Sequence, residues 1–427
     1  MTIDEGAGST RPAILDLMPP GSRLDDGRLV IGGRRASELA DTFGTPALII
    51  DESALRARAR RYVDGLRSRW PNSQVAWASK SLPCTAIYRI MGEEGLGVDV
   101  AGGGELVMAL AGGVDPAGLV LHGNAKTDTE FAMALDAGVG TVVIDNLDDV
   151  ARLERLATRE QGVLIRVIPD VATATHDAIA TGHQNSKFGL SVPEARTLID
   201  RLRGSAHLRL DGLHVHIGSQ ILDVAPFARA VEAVAKLGSF DVYDLGGGLG
   251  ARYTYDDHPP SIEAYLDTLT DAARAFLPAS ARLLIEPGRS MIAETGVTLY
   301  RVVSVKRGAT RTFVAVDGGM GDNLEVSLYG QRFEATMADR VGGGDDYTVV
   351  GRHCESGDQL IDSVPLVEPA VGDVLAVAVT GAYCLTMANN YNGALRPPIV
   401  LVNASGARLA LRRETYDDLL RRDVGRP

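Results

Sequence analysis

The chain has 427 residues, 45% of them hydrophobic, and a formal net charge of −12. That length exceeds one ordinary core and predicts two domains. The acidic balance, with no basic stripe, excludes nucleic acid as a partner, and no apolar run is long enough to span a membrane. The start, Met1–Gly6, lacks the basic-then-apolar order of a secretion signal. Cys84, Cys354 and Cys384 have no metal-ligand spacing and read as reduced thiols of a cytoplasmic protein.

Residues 1 to about 26 are polar and punctuated by Gly and Pro, a loose arm. A strand from Leu29, a short helix over Arg35–Phe43 and a strand at Ala47–Ile50 follow, with Asp51 placed to cap a helix running to about Leu66. The chain then becomes rhythmic. Strand-like runs fall at Val75–Lys80, Val98–Ala101, Leu119–Gly123, Thr141–Asn146, Val163–Pro169, Leu213–Ser219, Val242–Gly248 and Leu283–Arg289. Helix-period segments such as Glu105–Ala111 and Asp128–Ala137 lie between them. Eight strands alternating with helices predict a (β/α)8 barrel, with an open doubly wound sheet as the alternative. The excursion Thr175–Gly189 is long enough to be a binding loop over the mouth. Beyond about Thr298 the helical patterns thin out. Runs at Thr298–Lys306, Thr312–Val316, Tyr347–Val350, Val374–Val379, Ile399–Val402 and Arg408–Leu411 predict an all-β domain. The expected division is 1–46 as an arm and strands joining the β-domain, 47–297 as the barrel, and 298–427 as the β-domain.

Barrels place chemistry at the carboxyl ends of their strands. Those ends here carry Lys80, Asp99, His122, Asn146, His216, Gly246–Gly248 and Glu286–Arg289, more polar than packing requires. Lys80 closes an apolar strand in a chain with only five lysines. A lysine there must pair, lose its proton or snorkel to the surface, and a desolvated amine of depressed pKa suits Schiff-base chemistry. Consecutive glycines after strand seven let N–H groups converge on an anion, at the corner where barrels often bind phosphate. Glu286 suits a protonated ring nitrogen, and Arg289 a phosphate or carboxylate, unless the two pair with each other. His214 and His216 share a strand face. An imidazole there could lie against a planar cofactor with Ser219 donating to it, and with no carboxylate at helpful spacing no metal is expected. Together with Asp99, these groups describe a pyridoxal 5'-phosphate site.

Several stretches are similar to fold-type III pyridoxal-phosphate enzymes, which have the alanine racemase-like fold, and within them to the diaminopimelate decarboxylase family. They are Trp77–Lys80, Val98–Leu106, Gly182–Gly189, Gly212–Gln220, Glu286–Arg289, Val316–Met320, Cys354–Asp358 and Gly381–Tyr383. The resemblance implies Lys80 as the Schiff-base lysine, His216 on the cofactor ring and Glu286 on its nitrogen. Ser219, Gly246, Gly247, Gly248, Arg289 and Tyr383 hold the phosphate or lie beside it. It also implies a homodimer with shared sites, in which a partner's Cys354 is the proton donor and its Glu355 touches the substrate's distal end.

This chain departs from the family at Asp322–Tyr329, where Glu325 takes the place of an arginine that grips a distal carboxylate. At ~4 Å and an effective dielectric near 20, two unit charges interact by about 4 kcal/mol, so a change of sign disfavours that carboxylate. The expected activity is decarboxylation of an amino acid, free or carrier-bound, without a distal carboxylate, contacted by Arg289, Glu325, Tyr329, Glu355 and Tyr383. The alternatives are meso-diaminopimelate decarboxylation to L-lysine and a non-catalytic pyridoxal-phosphate-binding regulator. A racemase fits the Cys354–Asp358 loop less well.

Overall fold

The structure, a computed structural model, describes residues 13–169 and 186–425. Eight parallel strands close into a barrel: Ser73–Ala78, Gly97–Val100, Leu119–Leu121, Thr141–Ile144, Gln161–Val167, Leu208–Val215, Val242–Asp244 and Arg282–Ile285. Each pairs with its successor, and the eighth returns to the first through Leu283 opposite Ser73. All eight coincide with the expected strand positions, and the helices between them are capped as their sequences suggest. Asp51 accepts the Ala54 N–H ahead of Glu52–Arg69, and Thr127 and Glu130 form a reciprocal capping box ahead of Asp128–Ala137.

A nine-stranded sheet forms the second body. The strand Gly296–Arg307 runs antiparallel to Thr312–Val316, to Val374–Ala378 and to Ala47–Asp51. Ala47–Asp51, which the expected division assigns to the barrel unit although neither N-terminal strand is needed to close the barrel and both could join the β-domain, lies inside this sheet, where it also pairs parallel with Ile399–Asn403. All five of its residues are buried. A strand covered on both faces reads alike in a barrel or in a sheet interior, so the apolar run could not reveal its partners. Arg28–Ile31, expected to join the β-domain, pairs instead with Arg23–Asp25 and Arg34–Arg35 in a small antiparallel sheet. That sheet is fastened by the Leu29 N–H to Ala338 O at 2.7 Å.

Two strands of the β-domain were not anticipated. Ala335–Met337 has three residues, and Gln359–Leu366 interrupts its apolar alternation with Asp362, Ser363 and Pro365. The loop expected at Thr175–Gly189 lies outside the described residues apart from Ser186–Gly189.

Candidate active site

The barrel lumen is built in layers. Ala76, Val120, Val143, Leu164 and Leu284 form a closed apolar cluster, with Val242 packed against it. Gly212 completes the ring because a side chain there has no room; a Cβ would stand 1.7 Å from Val242 O. Side chains on a strand return to the same face every second residue. Two positions on, the inward sites become Ala78, His122, Asp145, Arg166, Asp244, Glu286 and His214. The strands thus carry an apolar floor and, one step nearer the carboxyl end, a polar layer. Above it opens a cavity of about 340 Å³ lined by Lys80, Asp99, His216, Arg289, Glu325 and Tyr383 among others.

Glu286 is the hub of the polar layer. His122 Nε2 lies 2.6 Å from its Oε1, and His214 Nε2 lies 3.2 Å from its Oε2. The two imidazoles meet edge to face at 4.8 Å. Burial pushes the Glu286 carboxyl up, but His122 and His214 outweigh it and hold the group well below the usual carboxylate range. His122 is drawn down by burial and raised on balance by Glu286 and Asp99. His214, buried with weaker compensation from Glu286, is pulled down to about 4. Asp99, also buried, is pushed up to about 6 despite His122.

Lys80 stands two residues beyond the strand, in the tight turn Ser79–Ser81. The turn is braced by Trp77 Nε1 donating to Ser81 Oγ at 3.0 Å and Ser79 Oγ donating to Glu105 at 3.0 Å. The Lys80 side chain opens into the cavity. Burial lowers its pKa, yet Asp99, Tyr383 and Glu286 together raise it above the ordinary value. The expectation of a depressed amine is thus reversed, because the carboxylates that face it were not legible from the strand alone. Lys126, the nearest other lysine in sequence, is tied to Asp149 at 2.8 Å and to Val143 O at 2.9 Å.

Gly246, Gly247 and Gly248 form a cradle that tolerates no side chain. A Cβ would approach Val215 O at 2.4 Å, Glu286 O at 2.0 Å and Gly218 O at 2.5 Å, respectively. Gly246 and Gly248 also adopt positive φ. The Gly247 N–H donates to His216 Nδ1 at 3.2 Å, which places that ring's remaining proton on Nε2. Burial drives the His216 pKa well below its ordinary value.

Arg289 does not pair with Glu286. Its guanidinium forms a two-pronged pair with Glu325, at 3.0 and 3.3 Å, donates to Tyr253 Oη at 2.5 Å and to Ser219 Oγ at 3.2 Å, and lies 4.6 Å from the centre of the Tyr383 ring. Glu325 opens the short helix Glu325–Tyr329, which brings Tyr329 to the cavity wall. Cys354 and Glu355 are exposed and do not line the cavity of their own chain. Their loop is fixed by the buried Asp358, which accepts the Met320 and His353 N–H groups at 2.6 and 2.7 Å.

Sequence reasoning left out Arg166, Asp244, Tyr253 and the role of His214. Arg166 pairs with Asp145 at 3.4 Å and stacks on Phe188 at 4.4 Å. The missed signal was a polar residue two places beyond an apolar inward position, as in Leu164–Arg166 and Val242–Asp244. Asn146, a candidate strand-end group, instead caps the helix Leu147–Leu156.

The glycine loop, the cavity-facing lysine amine and the ionised Glu286 fit pyridoxal phosphate: Gly248 and Ser219 at the cavity wall for phosphate, an amine for the aldehyde and a carboxylate for the ring nitrogen. Barrel and site together define a fold-type III pyridoxal-phosphate enzyme. Residues 53–293 match the family model described as "Pyridoxal-dependent decarboxylase, pyridoxal binding domain". The chain is 44% identical to a diaminopimelate decarboxylase of Actinosynnema pretiosum subsp. auranticum, over 96% of this chain and 95% of the relative. It is 41% identical to that of Bacillus subtilis, over 93% and 95%. The crystal structure of diaminopimelate decarboxylase from M. jannaschii in co-complex with L-lysine superposes with a TM-score of 0.90 at 31% identity, covering 96% of this chain and 99% of the other. The chain belongs to the diaminopimelate decarboxylase family and is a pyridoxal-phosphate-dependent amino-acid decarboxylase.

The histidines set a pH dependence. Below about 6.5 the unfolded chain binds a proton at His214 that the folded chain refuses until about 4, so folding loses free energy as pH falls through that window. Urea unfolding of the cofactor-free protein should show wild type losing about 3 kcal/mol more between these pH values than His214→Gln. Parallel profiles for the two proteins would mean that His214 is protonated in the fold.

Proposed function

We propose that the chain removes the α-carboxylate of a diamino acid whose distal end meets Glu325. The observation that carries this reading is the buried two-pronged Arg289–Glu325 pair. Glu325 neutralises the guanidinium, so Arg289 offers no free cation to a lone distal carboxylate, while a carboxylate oxygen at the cavity wall suits a distal ammonium or amide. A second reading, meso-diaminopimelate decarboxylation to L-lysine, has the stronger support from the comparisons, since the relatives at 40% identity and above bear that enzyme's name. A distal end carrying both charges would find its ammonium opposite Glu325 and its carboxylate within reach of Arg289 and Tyr329.

Pyridoxal phosphate, when bound, supplies the electron sink for the pair left by the departing carboxylate. The chain's own residues prepare for that. Glu286, kept ionised by His122 and His214, would hold a proton at the ring nitrogen, and the Gly246–Gly248 loop and Ser219 would hold the phosphate. His216, oriented by the Gly247 N–H, would lie against the ring. Lys80 presents its amine beside Asp99, which takes up or returns a proton near neutral pH. Cys354 and Glu355 serve the site of a second copy, where the thiol delivers a proton to the substrate carbon. Their exposure, and their distance from their own cavity, support that exchange.

Three outcomes test this account. Borohydride reduction of the holoenzyme followed by peptide mapping should put the pyridoxyl label on Lys80, with Lys80→Ala lacking both label and turnover; label on Lys126 or Lys187 would overturn the assignment. Mixing inactive Lys80→Ala with inactive Cys354→Ala subunits should restore activity through hybrid dimers, and no recovery despite proven subunit exchange would argue for self-contained sites. On the reading without a distal carboxylate, wild type should turn over meso-diaminopimelate poorly, and Glu325→Arg should raise its kcat/KM at least tenfold, about 1.4 kcal/mol. Efficient wild-type turnover that falls in Glu325→Arg is the outcome expected of lysine synthesis.

A further inference from the structure

Asp244 ends the seventh barrel strand and is 1% exposed. Its Oδ1 accepts the Gly246 N–H at 2.9 Å. Its other oxygen, Oδ2, is fully buried and has no N–H or O–H donor among the described residues. What it does have is a second carboxyl group. One polar side-chain atom from each of Asp244, Glu286, His122 and His214 can be chosen so that all four lie within 4.8 Å of one another. Two carboxylates so close in a dry pocket do not both ionise, so one keeps a proton.

The hydrogen bonds decide which one. Glu286 faces two imidazole nitrogens, one at each oxygen. Asp244 has one backbone N–H; His122 and His214 lie close to it but turn their Nε2 atoms to Glu286, and Asp99 and Tyr265 bring it no cation. An ionised Glu286 is therefore stabilised twice over, whereas an ionised Asp244 would leave a buried lone pair facing a like charge.

We propose that Asp244 stands in this enzyme as a neutral carboxylic acid whose Oδ2 proton is donated to Glu286, making Asp244 the positioning residue of that carboxylate. Burial and then the Glu286 charge push Asp244 well above the usual carboxylate range, in keeping with the orphaned oxygen. The arrangement gives Glu286 a third donor, which fixes its plane. Through Oδ1 the same side chain secures Gly246, the first residue of the glycine cradle. One buried acid thus joins the group for the ring nitrogen to the loop for the phosphate. The inference rests on the pyridoxal-phosphate site and is independent of which amino acid is decarboxylated.

Infrared difference spectroscopy of the cofactor-free protein at neutral pH tests the protonation directly. Beyond the carboxyl absorption that Asp322 gives both proteins, a protonated-carboxyl carbonyl band should be present in wild type and absent from Asp244→Asn. Pyridoxal phosphate affinity, read from its absorbance on titration, tests the positioning. Asparagine can still donate to Glu286, so Asp244→Asn should weaken binding less than tenfold, whereas Asp244→Ala, which leaves Glu286 without this donor, should weaken it at least a hundredfold. If Asp244→Ala does not fold, the infrared comparison decides alone. Absence of the band from wild type, its persistence in Asp244→Asn, or equal loss of affinity in both variants would overturn the proposal.

Discussion

The structure turns on keeping one carboxylate ionised where water is scarce. Burial alone would protonate Glu286, and a neutral acid could not hold a positive charge on a ring nitrogen. His122 and His214 offset that cost from the end of the third strand and from the sixth, which closure of the barrel brings to the eighth across the lumen. Neither histidine is near Glu286 in sequence, so closure of the sheet is a precondition of the chemistry as well as a packing solution. The apolar floor beneath serves the same end. Small and branched side chains at Ala76, Val120, Val143 and Leu164 seal the lumen and leave the polar layer open only toward the mouth.

The second domain supplies the far wall. Glu325 and Tyr329 belong to a helix held from below by Asp322, which accepts the Tyr300 hydroxyl at 2.5 Å and the Gly319 N–H at 3.0 Å. Burial pushes the Asp322 carboxyl up to about 7. Breaking a buried pair such as Arg289–Glu325 leaves an uncompensated charge and typically costs about 3–5 kcal/mol. A change at position 325 therefore alters the stability of the barrel mouth, and any effect on turnover is separable from it only when folding and turnover are both measured.

Much of this was legible in the sequence, for identifiable reasons. The barrel announced itself through eight strand-like runs alternating with helix-period segments, the first five starting about 22 residues apart, and the strand-end residues Lys80, Asp99, His216, Glu286 and Arg289 do converge on one cavity. Pairing was less legible. Ala47–Asp51 has the same apolar run whether it joins a barrel or a sheet, and only hydrogen-bond partners distinguish the two. Protonation was illegible for a similar reason. The sign of the Lys80 shift depends on Asp99 and Tyr383, one on the neighbouring strand and the other more than 300 positions away, and neither can be weighed from the lysine's own strand. Asp244 was overlooked because it precedes the glycines, which drew attention as an anion cradle while the residue anchoring them did not.

The charges around the cavity make a final point about how it can receive a phosphate. Arg289 is matched by Glu325 and Arg166 by Asp145, while Lys80 faces Asp99. No guanidinium among these is left uncompensated for an incoming dianion. With the Gly246 N–H given to Asp244 Oδ1 and the Gly247 N–H to His216 Nδ1, a phosphate here would depend on Gly248 and Ser219 at the cavity wall, polar groups that need no counter-ion. The loop admits no side chain at any of its three positions for a packing reason, since a Cβ would meet a backbone oxygen within 2.5 Å in every case. A phosphate held this way would leave Arg289 to the other end of the pocket. The Glu325 pair, rather than the cofactor, then sets what that arginine can hold.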